Sequence, residues 1–122
     1  MPDRAWTSWL LTHGPVRAVD VRHAGPGSMV VGLRGPVGEQ DAQRAGRALA
    51  HVLASGLREA HIDLDRAGTM PKSSVAAVFL PLVVAAGEHG VALTVHRAGP
   101  GTRAALRTLG LDRVLDYSDE AP

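Results

Sequence analysis

The 122-residue sequence has no cysteine. Disulfides, thiolate zinc sites and cysteine nucleophiles are excluded with it. A charge excess of either sign is also missing. Thirteen basic and twelve acidic residues leave a formal net charge of +1, which argues against a nucleic-acid surface or an acidic-membrane binder. No hydrophobic run reaches the roughly 18 to 20 residues needed to span a bilayer. The opening stretch "MPDRAWTSWLLTHG" lacks the apolar core and small-residue cleavage site of a signal peptide. The expectation is a soluble, cytoplasmic protein with no membrane insertion and no nucleic-acid partner. Aromatics and lysine are scarce, while Ala, Gly, Arg and Val are abundant. That bias says little about function.

Enzyme signatures are missing as well. The six histidines (His13, His23, His51, His61, His89 and His96) show no metal-ligand spacing. They read as surface or structural residues, and no metal or cofactor is expected. No Gly-x-Ser-x-Gly elbow occurs, and Ser73 has no evident base. Asp63 and Asp65 sit near the carboxyl end of a strand, where open α/β sheets often place function. A receiver-type phosphoacceptor would need an acidic cluster after an earlier strand, and the turns "AGPG" and "GPVG" supply none. A strand-end aspartate bonding nearby loop amides is the expected role. No catalytic residue is assigned.

What is present fits one domain with a real hydrophobic core. Residues 1–14 read as an N-terminal extension, 15–117 as the domain and 118–122 as a loose tail. Trp6, Trp9 and Leu10 have the spacing of one helical turn and are expected to cover an edge of the domain or meet a partner. Residues 16–23 and 28–34 alternate as two strands around the turn 24–27, so a hairpin is predicted. From Glu39 to Ser55 the period becomes helical, with Ala42, Ala45, Leu49, Val52 and Leu53 on one stripe. Glu39 and Asp41 suit its positive end, and Gly56 its exit. Strands are predicted at 60–65 and 91–97, helices at 73–89 and 102–110, and a last short strand within 111–117. The order β-β-α-β-α-β-α(-β) predicts an α/β fold with a mixed, mostly parallel sheet of four to five strands and crossover helices.

The stretch "GTMPKSSVAAVFLPLVVAAGEHG" (68–90) begins with a serine pair and continues for twelve residues, Val75 to Ala86, without a polar side chain. Ser73 or Ser74 is an expected N-cap, since its side-chain oxygen can accept an orphan backbone N–H. Ala76, Phe79, Leu80 and Val83 would face the sheet. Val75, Val78, Leu82 and Ala85 would form a second apolar stripe, turned outward. Pro81 lacks an N–H and is expected to kink the helix or free a carbonyl. A helix apolar all round is usually buried on both sides. The cover for the second stripe is expected from a partner protein, a homodimer through the 73–89 helix, or the Trp6-Trp9-Leu10 segment.

In order and punctuation the chain resembles the STAS domain, the fold of bacterial anti-sigma factor antagonists, over about residues 16 to 117. "VVGLRGPVG" resembles the family's second strand, with Gly35, Pro36 and Val37 fitting and Gly38 in place of an Asp. "HIDLDRAGTMPKSSVAAVFL" resembles the strand, loop and helix start that carry the Asp-Ser-Ser-Gly motif. "GVALTVHRAGPGTRAALRTLGLDRVL" resembles the ending, through Gly90, Leu106 and Gly110-Leu111-Asp112. The resemblance implies a non-catalytic signalling protein that binds a serine-kinase-type anti-sigma factor. It implies a phosphorylation site at Ser73, with Ser74 beside it, and partner binding through Lys72, Ser73, Ser74, Val75, Val78 and Leu82. Lys72 and Val75 stand where the family has Asp and Gly, so the resemblance leaves open both a domain switched at Ser73 and a variant that binds without being switched by phosphate. A second STAS-like reading is an accessory subunit docking on the ATPase of a lipid-transport ABC system. A third function would use "HRAGPGTR": Arg97, Gly101, Thr102 and Arg103 at a helix start could hold an anion, as in a small-ligand or nucleotide sensor.

Overall fold

A computed structural model describes residues 4–14 and 16–122. Residues 1–3 and 15 lie outside the described residues, and with them part of the boundary expected between the extension and the domain. Five strands, β1 (Val19–Gly25), β2 (Ser28–Leu33), β3 (Glu59–Asp63), β4 (Ala92–His96) and β5 (Asp116–Ser118), form one sheet in the order β1-β2-β3-β4-β5. The β1–β2 pair is antiparallel and the other three pairs are parallel. The hairpin closes at Pro26-Gly27, where Gly27 adopts φ +78°, a conformation that costs glycine little. A register shift between Val21 and His23 bends β1. Helices α2 (Glu39–Leu53), α3 (Lys72–His89) and α4 (Pro100–Thr108) make the parallel crossovers.

Alternation decides which sheet face is inside. Met29, Val31 and Leu33 of β2, Ala60 and Ile62 of β3, and Leu93 and Val95 of β4 are buried in a single apolar cluster with the helices. The intervening residues, Glu59, His61 and Asp63 on β3 and Thr94 and His96 on β4, share the opposite, polar face.

α2 buries the expected stripe of Ala42, Ala45, Leu49, Val52 and Leu53. Its N-cap is Gly38, which has no side chain to accept a first-turn N–H. Its neighbour α3 explains the run of twelve apolar side chains, and here the sequence expectation is corrected. Val75, Val78, Phe79, Leu82, Ala85 and Ala86 are buried, so the stripe expected to face outward lies inside. Leu80 and Val84 are the exposed ones, at 42% and 59%. A helix flanked by α2 and α4 and backed by the sheet needs an apolar surface over most of its circumference, without a second protein.

The α2–α3 contact depends on Gly46 and Pro81. Proline at 81 cannot donate to the Ala77 carbonyl. A Cβ on Gly46 would lie 2.3 Å from that carbonyl oxygen and 2.9 Å from Pro81 Cγ. Only glycine lets the two backbones approach this closely.

The Trp6-Trp9 turn extends into a helix, α1 (Arg4–His13), that packs on α2. Trp6 and Trp9 are buried in the common core, and the Trp9 ring stacks on His13 at 3.7 Å. Arg44 of α2 donates to the His13 carbonyl at 2.8 Å. Leu10 is exposed and does not join this contact. α1 therefore covers α2 rather than the outer side of α3. Among the described residues, no helix is long and apolar enough to cross a membrane.

Candidate functional site

The carboxyl ends of β2 and β3 feed two loops that position the start of α3. The Gly35 N–H donates to the Arg66 carbonyl at 2.8 Å. A Cβ at Gly35 would stand 2.2 Å from the Ala67 carbonyl oxygen, so the loops touch backbone to backbone. Met70 and Ala67 tuck into the core beneath. The chain then turns at Pro71, the N-cap of α3, and the Ser74 and Val75 N–H groups both donate to the Pro71 carbonyl at 3.0 Å. The serine-cap expectation fails: α3 starts one residue earlier, at Lys72, and no side chain caps it.

This start separates the two serines. Lys72 and Ser73 are exposed, whereas Ser74 is buried at 1%. Val75 is fully buried and points into the core. It therefore does not project where a partner would approach, contrary to its expected place among the contact residues. Val78 and Leu82 are equally buried, so with Ser74 four of the six expected contact residues lie inside. The accessible face of α3 runs from Lys72 and Ser73 through half-buried Ala76 to Leu80 and Val84. The first turn of α3 contains no acidic side chain. The first N–H groups of a helix lack intrahelical partners, and their end of the macrodipole favours an anion.

Asp63 ends β3 as a fully buried charge. Its cover is two arginines. Arg97 is bidentate, with Nε donating to Oδ1 at 3.0 Å and a terminal nitrogen donating to Oδ2. Arg22, from the hairpin, donates to Oδ2 as well. The Asp65 N–H donates to Oδ1 at 3.1 Å, so the expected bond to a loop amide is present. Burial is the strongest single influence on this carboxyl and by itself would raise its pKa. Hydrogen bonds from Arg97, Arg22 and the Asp65 amide overcome it and hold the group at about 2. Two local features permit the clamp. Gly32 leaves the space that the Arg22 guanidinium fills, since a Cβ there would lie 2.4 Å from its terminal nitrogen. Arg97 adopts φ +56°, a left-handed conformation uncommon for a residue other than glycine.

The loop expected to hold an anion is committed internally. Arg97 serves Asp63 and Asp65. Arg103 donates to Asp119 at 2.7 Å and lies over the Tyr117 ring at 4.6 Å. Thr102 is buried in α4 and Gly101 is exposed. Both guanidiniums are thus neutralised by carboxylates. Sequence reasoning missed the Arg22–Asp63–Arg97 clamp. Its members lie 41 and 34 residues apart, and only the sheet register brings them together. Among the described residues, no group of three His, Asp or Glu side chains could hold a metal ion.

No family model matches the chain, and no curated protein matches it in sequence. Solved structures do. The anti-sigma factor antagonist SpoIIAA in its unphosphorylated form superposes with a TM-score of 0.68 at 15% identity, covering 84% of this chain and 90% of that one. The Bacillus cell fate determinant SpoIIAA in the phosphorylated form superposes with a TM-score of 0.65 at 14% identity, covering 84% and 93%. The fold is the STAS fold of SpoIIAA, a mixed α/β arrangement with one mostly parallel five-stranded sheet and four helices.

Proposed function

We propose that this chain is a non-catalytic, cytoplasmic signalling protein: an anti-sigma factor antagonist that binds a serine-kinase-type anti-sigma factor through the start and outer face of α3. The observation that carries the reading is an exposed serine, Ser73, at the start of α3 in a fold shared with an antagonist solved in unphosphorylated and phosphorylated forms. Ser73 is the acceptor in this reading, because Ser74 is buried. A phosphate on Ser73 would add about −1.5 to −2 charges at a helix N-terminus, where free N–H groups and the dipole favour it. Lys72, the exposed neighbour, is a further counter-charge. The new charge would oppose partner binding by repulsion and desolvation without refolding the domain. With Val75 inside, Lys72 is the one departure from the family motif left on the surface.

Leu80 and Val84 continue the same face as apolar contacts for the partner. The test is capture of partners from the protein's own cells with tagged wild type, Ser73→Ala, Ser73→Asp and Leu80→Asp. A kinase-like anti-sigma factor is expected with wild type and Ser73→Ala, and about tenfold less with Ser73→Asp or Leu80→Asp. Capture of a transporter ATPase, or equal capture by all four proteins, overturns the reading.

A further inference from the structure

On the polar sheet face, His61 Nδ1 lies 2.8 Å from His96 Nε2. The outer nitrogens also have partners: His96 Nδ1 is 2.9 Å from the Glu120 carbonyl oxygen, and His61 Nε2 is 3.4 Å from a Glu59 carboxylate oxygen. A carbonyl oxygen only accepts, so His96 Nδ1 carries a hydrogen. In the neutral ring His96 Nε2 is then a lone pair, and it accepts from His61 Nδ1–H. One further proton fits, on His61 Nε2, where it faces Glu59. A second does not fit. It would sit on His96 Nε2, placing two N–H donors head to head between two imidazolium rings.

We infer that the His61–His96 pair is an acid-sensitive latch that holds β5 and the following residues 119–120 to the sheet and opens when both rings are protonated. β5 is three residues long and pairs with β4 alone. The latch reinforces it where the Arg97 N–H meets the Ser118 carbonyl at 2.7 Å and the Glu120 N–H meets Ser118 Oγ at 3.2 Å. The closed state accepts one added proton and the open state two, so falling pH favours opening.

Around the pair, β3 contributes Glu59 beside His61, and Asp63, which is neutralised by Arg22 and Arg97. β5 contributes Asp116, in register with Thr94 and thus in the row of His61. The segment after β5 contributes Asp119, paired with Arg103, and Glu120. From β2, Val30 adds no charge to that row. From β1, His23 is in register with Val30 and thus stands in the same row.

The experiment is amide hydrogen exchange at pH 7.5 and 5, corrected for intrinsic rate, on wild type and His61→Gln. A glutamine amide can turn to donate to a neutral His96 or accept from a protonated one, so this variant removes the conflict at every pH. In wild type, the amides of Arg97 and residues 116–120 are expected to lose about fivefold or more of their protection at pH 5. Amides of β2 and β3 stay protected, and His61→Gln shows no such loss. Protection that is unchanged in wild type overturns the inference. So does an equal loss in His61→Gln, or a loss spread evenly over the whole sheet.

Discussion

Replacing Asp63 by Asn isolates the charge at the centre of the sheet's polar face. The substitution keeps size and shape and removes the carboxylate that Arg22 and Arg97 share. A carboxyl held at about 2 in the folded chain, against 3.8 for a free aspartate, contributes about 2 kcal/mol at neutral pH. The two arginines left behind add to the loss. Their side chains are 31% and 32% exposed, so water can solvate them, and the total falls short of the roughly 3–5 kcal/mol of a fully buried broken pair. A loss of about 2 to 3 kcal/mol is expected, out of a total stability of about 5–15 kcal/mol. That corresponds to a fall in Tm of about 10 °C. Urea unfolding of both proteins at pH 7, 3 and 2 measures it. The folded pKa is depressed, so the stabilisation is fully present above pH 4 and lost as pH falls through about 2. The gap between wild type and Asp63→Asn therefore shrinks steadily below pH 4. Equal midpoints at pH 7, or a gap of the same size at pH 2, would refute the assignment.

Three other outcomes follow from the packing. Gly46→Ala should destabilise the fold by about 2 kcal/mol in urea unfolding, because the clash with the Ala77 carbonyl outweighs alanine's helix preference of about 1 kcal/mol. Gly32→Ala should displace the Arg22 guanidinium and move the Asp63 carboxyl upward from about 2, a change that carboxyl NMR titration would register. Val78→Asp or Leu82→Asp should prevent folding by burying a charge, whereas Leu80→Asp should leave the circular dichroism spectrum and Tm near wild type.

Much of the fold was legible because each element carries a period that one environment imposes. Alternation marked β2 and the half-open strands after it, and the stripe from Ala42 to Leu53 marked α2. The faces of α3 were not legible. From Val75 to Ala86 no polar residue distinguishes outside from inside, so two apolar stripes fit equally well, and the choice fell to α2 and α4. The cap was misplaced because proline at 71 can close the first turn with its carbonyl, which serine spacing does not reveal. At the site, Ser73 was legible through its motif, but its exposure and the burial of Ser74 depend on the rotation of α3. The Asp63 clamp and the His61–His96 pair arise from strand neighbours distant in sequence, and a chain with no alternative acidic cluster gave no local sign of either. Gly32 was the one trace: a glycine inside a strand often marks a close approach, here that of Arg22.

In the proposed function, Ser73 at the start of α3 is the switch of a partner-binding surface. Incubating the purified chain with ATP and its captured kinase-like partner, then mapping the phosphate and weighing the complex, tests it most directly. Phosphate is expected on Ser73 and none on buried Ser74, with a complex that falls apart once Ser73 is modified. A complex that persists with Ser73 phosphorylated, or a partner that transfers no phosphate to this chain, would contradict it.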